Sequence, residues 1–262
     1  MGTDSSHQAV KGNRSLVRGL AIIRAFNETP HPSLTDIARH VGLTKATCLR
    51  FLRTLQEEGY VDYDDVLKRY QLRPLVLELG YAALASLSLP TMATPEMQAL
   101  ADETGGAVNL SVLEGDEVVI LARTIAQAEK RKLVTMNLHV GMRLPAHCTT
   151  MGRILVGISH PDIPAFVNTM RIEKVTTKTI VDREALSSAI AQAASRGYEV
   201  TEDQLSLGYG AVGVPLLVPH HPPFALAVSL STVDNSGEQL VQEILPLLQR
   251  TAERLSRAFS GA

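Results

Sequence analysis

Between residues 42 and 61 the chain reads GLTKATCLRFLRTLQEEGYV, and its polar side chains fall where a helix would leave them exposed. Cys48, Leu49, Leu52 and Leu55 form an apolar stripe at helical spacing, while Thr44, Lys45, Thr47, Arg50 and Arg53 lie mostly off it. Hydroxyls, cations and open backbone N–H groups at one helix end are the donors that meet phosphate oxygens and base edges. Arg50 is the expected base reader, because a guanidinium pairs bidentately with guanine. Lys68 and Arg69, further along, are expected to hold phosphate, which adds affinity without sequence choice. The plain alternative is a three-helix bundle whose basic residues are merely solvated. It is disfavoured because a glycine turn before the helix and a basic wing after it occur together.

Other candidate chemistry is thinner. His147 beside Cys148 has the residue types of a nucleophile or a metal site, yet no acid or second ligand pair stands at a useful spacing, and packing is the simpler reading. His220 and His221 sit among prolines in VPHHPPF, which reads as an exposed hairpin loop. GYGAVG, residues 208 to 213, has the glycine spacing of a dinucleotide loop, but Pro215 and the rest of VPLLVP block the helix such a loop must open. No Ser-His-acid set, paired carboxylate motif or phosphate loop emerges. A small-molecule-processing enzyme with an accessory nucleic-acid module is therefore the disfavoured alternative. No catalytic residue, metal or cofactor is assigned.

The elements that must position the basic face can be read around it. SLVRGLAIIRAF places Leu16, Leu20, Ile23 and Phe26 on one face of a first helix. LTDIARHVG repeats the pattern with Leu34, Ile37, Ala38 and Val41, with Ser33 or Thr35 as cap and Gly42 as stop. Thr44 caps the third helix and Gly59 ends it. The short VGLT connection is the bend of a helix-turn-helix, and YVDYDDVLKRYQLR alternates as paired strands with a turn near Asp64 and Asp65. Residues 13–73 therefore read as a winged helix-turn-helix, after a disordered leader at 1–12. Residues 74–90, rich in Leu and Ala between prolines, read as a linker helix, and a further helix is expected to start at Thr94-Pro95-Glu96. Beyond it come a hairpin around Glu114-Gly115-Asp116, a strand ending in a glycine turn, a helix capped by Thr149, a helix from Asp182 to Gly197, three more strands and a helix over 237–259. Adjacent strands interspersed with helices argue an α+β class with an antiparallel sheet in residues 91–262.

At 262 residues the chain has room for two domains, and 45% hydrophobic with 20% charged residues suits a globular protein. No apolar run approaches the roughly 20 residues that span a bilayer. The two cysteines, Cys48 and Cys148, are far apart and suit a reducing cytoplasm. The net charge of −2 conceals an asymmetry: residues 11–76 carry 11 basic and 7 acidic side chains, whereas the rest of the chain is acidic on balance. A basic module on an acidic body suggests a polyanion-binding part joined to a part of a different kind.

Taken together, SLVRGLAIIRAF, LTDIARHVGLTKATCLRFLRTLQEEGYV, YQLRPLVLELG, LPAHCTTMGRIL and GAVGVPL followed by VSLS resemble the IclR family of bacterial transcription regulators over nearly the whole chain. VLELGYAALASLSLP and LPAHCTTMGR look most like the branch that controls aromatic-acid and β-ketoadipate catabolism. The resemblance implies a DNA-binding homodimer, with a dimer of dimers as the larger assembly. Its C-terminal GAF-like domain would bind a small organic acid, aromatic or dicarboxylic, and control operator DNA binding. Carried over position by position, it implies Leu133, Met136 and Leu144 as apolar pocket wall. It places Thr150 and Met151 at a helix N-terminus suited to a carboxylate, and Ser229 and Ser231 as a Ser-x-Ser pair on one strand face. Thr201 or Glu202 falls where relatives often carry Asp, and Ala211 where some have a polar or thiol side chain. GYGAV at 208–212 departs from the Gly-Leu-Arg of many relatives, which prevents transfer of the effector's identity.

Overall fold

The computed structural model describes residues 13–81, 89–127, 138–233 and 235–260, and the chain divides into two compact units, Met1–Ser86 and Leu87–Ala262. Among its described residues the first unit has α1 (Arg14–Ala25), α2 (Leu34–His40) and α3 (Lys45–Glu57), followed by a hairpin of β1 (Val61–Asp64) with β2 (Arg69–Leu72). Each helix start has a side chain that accepts from an otherwise orphaned N–H: Asn13 for α1, Ser33 for α2 and Thr44 for α3. At α2 the cap is reciprocal, with Ser33 and Asp36 each accepting from the other's backbone. Gly42, at φ +65°, lets the chain turn from α2 into α3 within the four residues Val41 to Thr44, a conformation that would strain any side chain.

The core of this unit gathers Ile22, Ala25, Phe26, Ile37, Ala38, Cys48, Leu52, Val61 and Tyr70. The expected face of α1 needs correcting: Leu16 and Leu20 are exposed, at 62% and 40%, while Ile22, Ala25 and Phe26 are buried. Burial is confined to the C-terminal turns of α1, so the packing face follows Ile22 rather than the N-terminal leucines. On α3, Cys48 and Leu52 are fully buried with Phe51 and Leu55 packed beside them, and Leu49 sits half-buried at the margin. In the hairpin Val61 pairs with Leu72 and Asp64 with Arg69, and the Tyr63 and Tyr70 rings lie 4.6 Å apart. A 3-10 turn at Pro74–Val76 and a helical turn to residue 81 begin the expected linker helix, whose residues 82–88 lie outside the described residues.

The second unit is built on a six-stranded antiparallel sheet in the order β5-β4-β3-β8-β7-β6. Its strands are β3 (Ala107–Glu114), β4 (Glu117–Ile125), β5 (Arg143–Pro145), β6 (Glu199–Glu202), β7 (Tyr209–Leu216) and β8 (Phe224–Ser231). Helices α4 (Leu89–Thr104) and α8 (Leu245–Ser260) pack on one face and on each other. On the other face lies α5 (Thr150–Ser159), with α6 (Ile163–Thr169) and α7 (Arg183–Arg196) outside it. Strand alternation supplies both faces. Ile154 and Leu155 meet Ile120, Ala225 and Ala227 on the α5 side.

Two expected boundaries shift. Helix α4 does not begin at Thr94 but runs from Leu89 through Pro95. The stripe Leu89, Ala93, Met97, Leu100 and Ala101 is at most 2% exposed, so its burial outweighs the backbone bond that a proline removes. The expected last helix opens with a turn at Gly237–Gln239 and a π-helical stretch at Leu240–Ile244 before α8. GYGAVG forms the start of β7, with Gly208 at φ +83° in the preceding turn, so it is not a phosphate loop. No helix among the described residues is long and apolar enough to cross a membrane.

Candidate functional site

Two places gather polar groups that the packing of the fold does not use. The first is the outer face of α3. Lys45, Arg50 and Arg53 are all exposed, and Arg50 offers its whole side chain while its carbonyl accepts from Thr54 Oγ1 at 3.2 Å. The Thr44 hydroxyl is occupied: it accepts from Thr47 N at 3.3 Å and lies 2.9 Å from Thr47 Oγ1. Thr44 therefore shapes the helix start, and the open donors there are backbone N–H groups and Lys45. On the hairpin the two cations differ. Lys68 sits in the turn at φ +55°, and its exposed contact with Asp65 at 3.8 Å contributes little. Arg69 instead holds Asp36 Oδ2 and the His31 carbonyl, both at 3.2 Å, which ties the hairpin to the start of α2. The Ser33 hydroxyl and N–H, helped by Arg69 and Arg39, hold the Asp36 carboxyl below its ordinary value of 3.8 despite some burial.

The second place is a cavity of about 50 Å³ between α5 and the sheet. Of the residues carried over from the family, Leu144, Thr150, Met151, Thr201, Ala211 and Ser229 line it. Two are not brought there. Glu202 accepts from Gly237 N at 2.7 Å and so anchors the turn before α8, and the Ser231 hydroxyl accepts from Val233 N at 3.2 Å. Leu133 and Met136 lie outside the described residues. Sequence reasoning missed Asn109 and the 204–206 loop, Gln204, Leu205 and Ser206. The available signal for Asn109 was a lone amide at an inward position of the apolar strand AVNLSVL.

The fold makes this cavity with an open helix end. Thr149 caps α5 by accepting from Gly152 N at 3.2 Å, which leaves the N–H groups of Thr150 and Met151 without intrahelical partners. Gly152 is required there, because a Cβ would lie 2.2 Å from Ala146 Cα. Thr150 donates to the Ala211 carbonyl at 3.2 Å, so the 2.6 Å contact between Thr150 and Thr201 hydroxyls takes its proton from Thr201. Behind the cavity, buried Arg153 joins three elements: it donates to the His147 carbonyl at 2.8 Å, to Glu199 at 3.2 Å and to Gln204 Oε1 at 2.9 Å. Gln204 in turn accepts from Ile180 N and donates to the Lys178 carbonyl, which fixes the loop that closes one side.

Among the described residues the cavity lining holds no ionised side chain. Asn109, 2% exposed, receives Arg123 Nη1 on its Oδ1 at 2.6 Å, and burial lowers the pKa of Arg123. Cys148 also lines the cavity, and burial pushes its thiol to about 11. His147 beside it is 1% exposed and its Nε2 donates to the Glu173 carbonyl at 2.9 Å; burial lowers its pKa and keeps it neutral. Both side chains are buried, and no group of three metal-ligating side chains is found among the described residues.

One unit is a helix-turn-helix with a basic outer face, and the other holds a polar-rimmed cavity. Residues 15–65 match the model of the IclR helix-turn-helix domain, and residues 81–257 match that of the bacterial transcriptional regulator IclR C-terminal domain. The chain belongs to the IclR family of bacterial transcriptional regulators. It is 33% identical to the Pca regulon regulatory protein of Pseudomonas putida over 94% of this chain and 84% of that one. A putative transcriptional regulator from Rhodococcus sp. RHA1 superposes with a TM-score of 0.78 at 33% identity, covering 95% of this chain and 99% of that chain. The inducer-binding domain of PobR from Acinetobacter, a double mutant in complex with 3-hydroxybenzoic acid, matches with a TM-score of 0.59 at 25% identity, over 64% of this chain and 97% of that chain. IclR membership sets aside the enzyme alternative and assigns DNA binding to the helix-turn-helix unit. The C-terminal IclR domain is a binder of small-molecule effectors.

Proposed function

We propose that this IclR regulator binds operator DNA as a homodimer in the cytoplasm, and that a small aromatic acid in the C-terminal cavity controls that binding. Two such dimers form the larger assembly. The DNA-reading part is residues 13–73, with Arg50 on base edges and Lys45, Arg53 and Lys68 on phosphates. Thr44 and Thr47 set the helix start, and Arg69 holds the wing to α2. Residues 74–90 link this part to the effector-binding and oligomerising part, residues 91–262.

The observation that carries the reading is a cavity lined by Thr150 and Met151, the first two residues of α5, whose N–H groups have no intrahelical partners. A helix N-terminus favours an anion, none of the described lining residues is a competing carboxylate, and a carboxylate meets both N–H groups at once. Leu144, Met151 and Ala211 form an apolar wall suited to a ring, with Ser229 and Thr201 as polar rim. The likeness to the PobR inducer-binding domain, whose complex holds 3-hydroxybenzoic acid, supports an aromatic rather than an aliphatic acid. The effector acts by changing the spacing and orientation of two recognition helices, whose half-sites lie about 34 Å or a multiple apart. The test is a thermal-shift screen of the full chain with benzoate, hydroxybenzoates, protocatechuate and aliphatic dicarboxylates. At about 100 times Kd a true effector adds about 2.7 kcal/mol to stability. A flat response to every aromatic acid overturns the reading.

A further inference from the structure

The 2.6 Å contact between Arg123 Nη1 and Asn109 Oδ1 settles which way the Asn109 amide points. A guanidinium carries only donors, so the amide atom facing it is oxygen and the other end is the NH₂ group. Asn109 is 2% exposed and lines the cavity, so that NH₂ is held at the cavity wall rather than in water. A cation on the amide oxygen withdraws electron density from the nitrogen and makes its N–H bonds stronger donors.

Asn109 also stands at the opposite side of the cavity from the α5 N-terminus. Thr150 bonds to Thr201 on β6 and to Ala211 on β7, whereas Asn109 is on β3. In the order β3-β8-β7-β6 these strands are three spacings apart, about 14 Å from β3 to β6. Ala227 and Ser229 of β8 floor the space between. That span matches one aromatic ring with a polar group at each end, and the cavity, at about 50 Å³, must widen to admit it.

We infer that Asn109, held by Arg123, is a specificity-determining residue that donates a hydrogen bond to a ring oxygen of the effector remote from its carboxylate. The preferred ligands are therefore hydroxylated benzoates over benzoate itself. Arg123 is a positioning residue acting through Asn109. The inference rests on the aromatic-acid reading above, but it concerns the discrimination within that class. Two other hydroxyls of the lining are already committed to protein partners: Ser229 to the Ala107 carbonyl and Thr150 to the Ala211 carbonyl.

The test is calorimetric titration of the full chain with benzoate, 3-hydroxybenzoate and 4-hydroxybenzoate, in wild type and in Asn109→Ala. Wild type is expected to bind the better hydroxybenzoate about tenfold or more tighter than benzoate, and Asn109→Ala to lose that preference while its benzoate affinity stays within about twofold. Arg123→Lys, which can still donate to Oδ1, retains most of the preference, and Arg123→Gln loses it. Operator affinity without ligand monitors folding; should Asn109→Ala fail to fold, Asn109→Thr carries the comparison. Equal wild-type affinity for all three acids overturns the inference, as does an Asn109→Ala that weakens all three alike or none. Absence of wild-type binding to any aromatic acid would instead sink the broader effector reading.

Discussion

Arg153 offers the sharpest test of how the cavity is held. It is 3% exposed, its partner Glu199 is 4% exposed, and its other bonds reach the His147 carbonyl and Gln204. Arg153→Met keeps much of the volume but removes every donor. Breaking a buried pair on one side costs about 3 to 5 kcal/mol, because the remaining charge stays buried. Two features place this site at the lower end: Glu199 keeps Arg196, and Gln204 Oε1 keeps the Ile180 N–H. The expected loss is about 3 kcal/mol, which for a unit of this length lowers its Tm by about 6 to 12 °C. Differential scanning calorimetry of the full chain reads this as a shift of the C-terminal transition. Glu199→Gln added to Arg153→Met should cost less than it does alone, with a coupling of about 1 to 3 kcal/mol. A loss below about 1 kcal/mol, or strict additivity, would refute the view that this pair fastens α5 to β6 and the 204–206 loop.

The remaining predictions concern DNA reading, acid stability and thiol chemistry. Arg50→Ala should relax sequence preference by about 1 to 3 kcal/mol at one operator position, whereas Lys68→Ala should weaken all DNA alike and flatten the log Kd against log salt slope by about 0.9. Competition binding with operator variants at several salt concentrations separates the two. Asp36 is held below 3.8 in the fold, so its ionised form adds stability that is complete above that pH and is lost as pH falls through the lowered value. The stability gap between wild type and Asp36→Asn, followed by acid unfolding, should therefore close below about pH 3.8. Cys148, raised to about 11, carries about 0.1% thiolate at pH 8, so iodoacetamide should label it about 100-fold more slowly than an ordinary thiol before access is counted.

Much of the first unit was legible because its elements are local. Caps at Ser33 and Thr44, the stop at Gly59 and the spacing of Cys48, Leu52 and Leu55 each need only a few neighbouring residues to act. The face of α1 was misread because Leu16, Leu20, Ile22 and Ala25 offer two overlapping stripes, and only the tertiary partners decide which is buried. Helix α4 passed through Pro95 for the same reason: a sheet face that sequence cannot display rewards the longer helix. At the cavity, the helix start capped by Thr149 carried a local signature and Thr150 came from the family resemblance, but Asn109 had neither. Its role depends on Arg123, 14 residues away across a hairpin, and on the bulge between Leu110 and Ser111 that sets their register. The different uses of Lys68 and Arg69 were equally hidden, since the bond from Arg69 to Asp36 spans 33 residues.

The central claim, effector-controlled operator binding, is tested most directly by fluorescence-anisotropy titration of the full chain against the duplex upstream of its own gene and a random duplex, with and without hydroxybenzoate. The account predicts salt-sensitive binding, a preference for the upstream duplex of about 10³-fold or more, and a shift in that affinity when hydroxybenzoate is added. Equal affinity for both duplexes, or an operator affinity unmoved by saturating hydroxybenzoate, would contradict it.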